Sequence, residues 1–234
     1  MRVWSRIVLV VVFGLCACEQ APVQSSRVLS KPEQAALGPV DGIVTIPQTE
    51  PDVAFTPTGT AGAGGLLGAL VYGIADGYRK AEAKKEARTL TDALQGFDFK
   101  EEFFAAASRR LGAVQNMKIV MRPTMNTATD TAAVRRLYDE SKDASVLLVF
   151  ARLGFNSGNL VLTAGATLFP KSAQLKRLRP RPDDANFLEI GNALYRDVVT
   201  VTKASVTPAT VRSSLAAAID EATATLAANL ERTR

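Results

Sequence analysis

The sequence predicts a single domain of the α+β (or α/β) class, a sheet of about five strands packed against about four helices, over residues 41–234. Three observations predict it. Two β-rich runs, "ASVLLVFARLGF" and "NLVLTAGATLFP", flank the turn Asn156-Ser157-Gly158-Asn159 and read as a long hairpin. The segment after Pro208 carries apolar residues at helical spacing as far as about Glu231. Elsewhere, short β-branched runs alternate with charged amphipathic stretches, the pattern of a sheet layered with helices.

The first element precedes the domain. Arg2 and Arg6 stand before the uncharged apolar run Ile7–Ala17. A basic region before a short apolar one is the layout of a secretory signal peptide. At about 1.5 Å per residue the run is too short to cross a hydrocarbon core of about 30 Å. The chain's two cysteines, Cys16 and Cys18, close this segment. Leu15 is too large for the −3 position of an ordinary cleavage site before Cys18. The tetrapeptide Leu15-Cys16-Ala17-Cys18 instead resembles the lipobox of bacterial lipoproteins. That resemblance implies that residues 1–17 are removed as a lipoprotein signal peptide. It also implies that the Cys18 thiol is diacylglycerated and the new amine acylated. Cys16 fits less well, because Leu15 would then stand at −1. A metal clip fails, since a C-x-C pair with no third Cys and no His cannot complete a four-ligand zinc site. Acyl chains worth about 0.8 kcal/mol per buried CH₂ would hold Cys18 on a membrane. Glu19 stands at +2, where the family uses Asp for retention at the inner membrane. The expected address is therefore the outer membrane, facing the periplasm.

The elements follow in order. Residues 18–40 read as a lipidated flexible tether, polar and without periodicity. "GIVTIP", 42–47, reads as a strand stopped by Pro47. Residues 53–75 carry no charge, but Pro57 and six glycines oppose a transmembrane span. A Gly-rich loop is expected to feed a helix over 65–87, with Leu66, Leu70 and Ile74 beside Leu67 and Val71 on one face. A helix over 99–111, capped by Asp98, should bury Phe103, Phe104, Ala107 and Leu111. "MKIVMRP", 117–123, is a strand, and 129–142 a helix turning Val134, Leu137 and Tyr138 inward. In the hairpin, Leu160, Leu162, Ala164, Ala166 and Leu168 share one face. Residues 171–186 form a loop carrying Lys171, Lys176, Arg177, Arg179 and Arg181, and 193–204 a further strand. Thr207 as N-cap with Pro208 at N1 opens the last helix, whose stripe is Val211, Leu215, Ile219, Ala222, Leu226 and Leu230.

This order is a strand, two helices, a strand, a helix, a long hairpin, a strand and a terminal helix, behind a lipobox. It resembles periplasmic lipoproteins with a TolB N-terminal-type domain, such as the curli-secretion and penicillin-binding-protein-activator lipoproteins. "DASVLLVFARL" before "NLVLTAGATLFP" carries the same flavour. The resemblance covers about residues 40–232 and assigns no functional residues.

Little chemistry is expected. The absence of His removes the usual general base, the Ser-His-Asp triad and most zinc sites. Asp183-Asp184 reads as a solvated turn, and Asp139, Glu140 and Asp143 as exposed charges near a helix end. "GTAGAGG", 59–65, lacks the endings of phosphate-binding loops. Gly64 with Gly68, and Gly73 with Gly77, space small residues four apart and are candidates for close helix contact. The five basic residues of 171–186 could meet lipid phosphates or an acidic partner, but read first as a solvated loop. Losing Arg2 and Arg6 lowers the formal net charge from +5 to +3, too little to suggest nucleic acid.

The expected function is that of a lipid-anchored, non-enzymatic adaptor or accessory subunit of a cell-envelope complex. No cofactor or metal is expected. Its partners would be the membrane, through acyl chains on Cys18, and an envelope protein or a second copy. The alternative is a lipid or small-ligand binding module using the apolar segment 61–75. An enzyme working through carboxylates alone would need two of them facing each other in a cleft.

Overall fold

The computed structural model describes residues 26–46, 51–53, 77–115, 117–123, 131–156, 158–182 and 190–232. The chain first forms helix α1 (Lys31–Ala36), strand β1 (Val40–Thr45) and the two-residue strand β2 (Asp52–Val53). Helices α2 (Gly77–Ala93) and α3 (Phe99–Leu111) lead to β3 (Ile119–Pro123). Helix α4 (Thr131–Glu140) precedes the hairpin of β4 (Ser145–Asn156) and β5 (Asn159–Pro170). The short helix α5 (Ala173–Arg177), a 3-10 turn (Ile190–Asn192), β6 (Tyr195–Lys203) and α6 (Val211–Glu231) complete it.

The result is one α/β domain with a mixed, five-lane sheet in the order β3-β1-β4-β5-β6. β2 pairs with β4 beyond the end of β1, in the same parallel sense. β3, β1 and β4 are mutually parallel, as their helical connections require, whereas β5 is antiparallel to both neighbours. Asn156 pairs with Asn159, and Gly158 takes φ +73 in the tight turn between them.

Alternation sorts the side chains by face. Leu147, Val149, Ala151, Leu153 and Phe155 of β4 join Leu160, Leu162, Ala164, Ala166 and Leu168 of β5 in the main core. That core is closed by α2, α3 and α6, with all six stripe residues of α6 buried. On the other face, Tyr138 and Leu137 of α4 cover Ile43, Val146, Leu148 and Phe169. Phe150 lies over Gly165 there, and Val120 and Val198 remain 55% and 43% exposed.

The strands define two ends. The base holds the starts of β1, β4 and β6 and the end of β5; the tip holds the β4–β5 turn and the end of β6.

Several expectations need correction. The tether expected over 18–40 is not free over its described part. Arg27 pairs antiparallel with Arg196 through two backbone bonds of 2.8 and 3.0 Å. Leu29 is fully buried, and Ser30 with Glu33 forms a capping box on α1. The first strand begins at Val40, two residues early, because its pairing with Ile119 and Ser145 starts there. The helix expected to end at Ala87 runs on to Ala93, since Leu90 and Leu94 also reach the core. The basic segment 171–186 is not one open loop, because α5 begins at Ala173 with Ser172 as its N-cap. The Thr207 carbonyl accepts from the backbone N–H groups of Thr210 and Val211 at 3.0 and 2.8 Å, so a turn precedes α6 and its N-cap is Thr210.

Candidate functional site

Two places on the domain concentrate features beyond packing. The first is a cleft of about 440 Å³ at the α2–α3 corner, towards the tip. Its local cause is a helix stop followed at once by a helix start. Gly96 takes φ +78 after α2, a left-handed position that glycine adopts without a Cβ clash. Asp98 then caps α3 by accepting from the Glu101 N–H at 3.0 Å. Arg212 of α6 ties the corner down by donating to the carbonyls of Ala93, at 2.8 Å, and Gln95. The cleft is floored by Leu94, Phe97, Phe99, Leu153 and Leu215 and rimmed by Thr91, Gln95, Asp98 and Lys100. Its size suits a small ligand or an inserted side chain. The Asp98 carboxylate on its rim accepts the cap bond through Oδ1.

The second place is the base. Arg27 donates to the Ala193 carbonyl at 2.6 Å and to Glu33 at 2.5 Å. Lys171 donates to the carbonyls of Tyr138, Asp139 and Ser141, closing the C-terminal end of α4, with its ammonium 5.4 Å from the Tyr138 ring. Burial pushes the Tyr138 phenol up to about 12, and its hydroxyl donates to the Pro170 carbonyl at 2.7 Å. Arg179 is 8% exposed and donates to the carbonyls of Lys176 and Pro182. Arg196 is equally buried, and burial lowers its pKa. No carboxylate among the described residues stands against it.

Of the expected site residues, Cys18, Gly64, Gly68 and Gly73 lie outside the described residues, as do segments 59–65 and 61–75 and Asp183-Asp184. Gly77 opens the described part of α2. Asp139 and Glu140 are exposed and Asp143 is half-buried. The basic set is split: Arg177 and Arg181 are exposed, Lys171 and Lys176 half-buried, and Arg179 buried. Among the described residues there is no group of three or more potential metal ligands and no helix long and apolar enough to cross a membrane.

Sequence reasoning missed the pair Asp41–Arg122, in which a guanidinium on β3 grips a carboxylate on β1 that is 4% exposed. The hydrogen bond to Asp41 raises the Arg122 pKa. Only the parallel register brings the two strands together, so no local signal announces it.

No protein-family model matches the chain, and no curated protein matches it in sequence. Among solved structures, it is similar to a PelC variant dodecamer from Paraburkholderia phytofirmans, at 13% identity and a TM-score of 0.32. That match covers 86% of this chain and 93% of the other. It is also similar to protein XCC0632 from Xanthomonas campestris, of family model DUF330, at 14% identity and a TM-score of 0.34, covering 87% and 89%. At these scores neither protein's assembly nor its role transfers to this chain.

Proposed function

We propose that the chain is a lipid-anchored protein of the bacterial cell envelope, held through Cys18, that works as a non-enzymatic adaptor or accessory subunit. The single observation that carries this reading is Leu15-Cys16-Ala17-Cys18 behind a basic and then apolar N-terminal segment. The domain supports it by placing Arg27, nine residues after Cys18, near the base, with the apolar cleft towards the opposite end. An anchored protein built this way holds its contact surface away from the bilayer. The test compares wild type with Cys18→Ala in cells, by membrane fractionation and by crosslinking capture of envelope partners. Equal fractionation of the two would sink the anchor; an anchored protein that crosslinks nothing would sink the adaptor.

A second reading is favoured by the cleft itself: an apolar ligand bound at Leu94, Phe97, Phe99 and Leu153. A fluorescent fatty-acid probe whose binding is abolished by Leu153→Gln, with the fold intact by circular dichroism, would support it. A probe that binds both chains equally would remove it.

A further inference from the structure

Resting on the lipid-anchor reading, we infer that the base end formed by α1 and α5 lies on the membrane surface. There Lys31, Arg177 and Arg181 meet phospholipid phosphates. The first argument is length. From Cys18 to Arg27 there are nine residue steps, which can span at most roughly 30 Å. Arg27 is fixed at the level of Arg196, which pairs with Thr167 near the base. From Thr167 to the tip at Asn159 the strand covers roughly 27 Å. A tip-down domain would therefore need nearly the whole of that span, whereas a base-down domain needs only a fraction of it.

The second argument is charge. α1 and α5 pack against one another, and Lys31 and Arg177 are exposed on them. Arg181 is exposed and borders Gly191. The nearest carboxylate on α1, Glu33, is buried and already taken by Arg27 and Ser30. Asp139 and Glu140 are exposed at the end of α4, and Asp183, Asp184 and Glu189 lie outside the described residues. Basic side chains at a leaflet carrying anionic headgroups add attraction that screening confines to short range.

The experiment uses the acylated protein in vesicles of phosphatidylethanolamine and phosphatidylglycerol doped with a headgroup-nitroxide lipid. Gln174→Cys on α5 and Ala209→Cys near the tip are both exposed positions and, with Cys18 acylated, each gives one labelling site. A fluorophore at position 174 is expected to be quenched several-fold more than one at 209. Adding Lys31→Glu and Arg177→Glu should bring the two values together. Equal quenching at the two positions, stronger quenching at 209, or no response to charge reversal overturns the inference. Intact mass separates the two readings: a chain without acyl mass overturns the anchor itself, whereas an acylated chain with equal quenching overturns only the orientation.

Discussion

Leu29→Ala should destabilise the domain by about 3 kcal/mol, although Leu29 lies in a stretch whose composition reads as a linker. The side chain is fully buried in the main core. Truncation removes three carbons at about 0.8 kcal/mol each, or about 2.4 kcal/mol of lost transfer energy. Partial collapse of the space left behind adds roughly 1 kcal/mol of cavity cost. Lys31→Ala, two residues on and exposed, supplies the control and should fall within about 0.5 kcal/mol of wild type. Urea unfolding followed by far-ultraviolet circular dichroism measures both. If Leu29→Ala matched its control, residues 26–39 would be a tether after all, and the orientation proposed above would lose its fixed starting point.

Gly165→Ala should cost about 1–3 kcal/mol, because a Cβ there would collide with the Phe150 ring and stand 3.1 Å from the Asp197 carbonyl. Phe150→Leu in the same chain should recover most of the loss; absence of recovery in thermal melts would point to strain elsewhere. Arg122→Met leaves the Asp41 carboxylate buried without its guanidinium and should cost about 1–3 kcal/mol. Arg110→Met, at the half-exposed pair with Asp220, should cost less than about 1 kcal/mol. Equal losses in parallel denaturant titrations would contradict that ranking. Hydrogen bonding from Arg110, with Arg109 beside it, holds the Asp220 carboxyl below its ordinary pKa. Its contribution is present above the usual carboxylate range and fades as pH falls through the depressed value. Asp220→Asn should therefore slightly flatten the acid side of the stability profile, and an unchanged profile at low salt would refute the assignment.

The hairpin and α6 were legible in the sequence because each carries its own period, two in β4 and β5 and near 3.6 in α6, with every stripe residue buried. The start of α6 was displaced because Thr207-Pro208 satisfies the local rule for a cap, while the Thr207 hydroxyl meets Thr210 and leaves the true cap three residues on. The folded part of the N-terminal segment did have a signal. Ser30-Lys31-Pro32-Glu33 is a capping-box pattern with Pro in the first helical turn, outweighed by the polar composition around it. The α2–α3 cleft was not legible. Its floor draws Leu153 from β4 and Leu215 from α6, residues that look like ordinary core and meet the corner only after α6 packs across the sheet.

The Arg27–Arg196 bridge also has a mechanical consequence. The N-terminal segment does not run straight from solvent into β1. It is clamped to β6 by two opposed backbone bonds, by the Arg27 guanidinium on Ala193 and by Leu29 in the core. Tension applied along that segment is met first by this clamp and reaches the hydrogen-bonded ladders of β1 only after the clamp yields. Were the N-terminus anchored, this clamp and not the ladders of β1 would carry the first load.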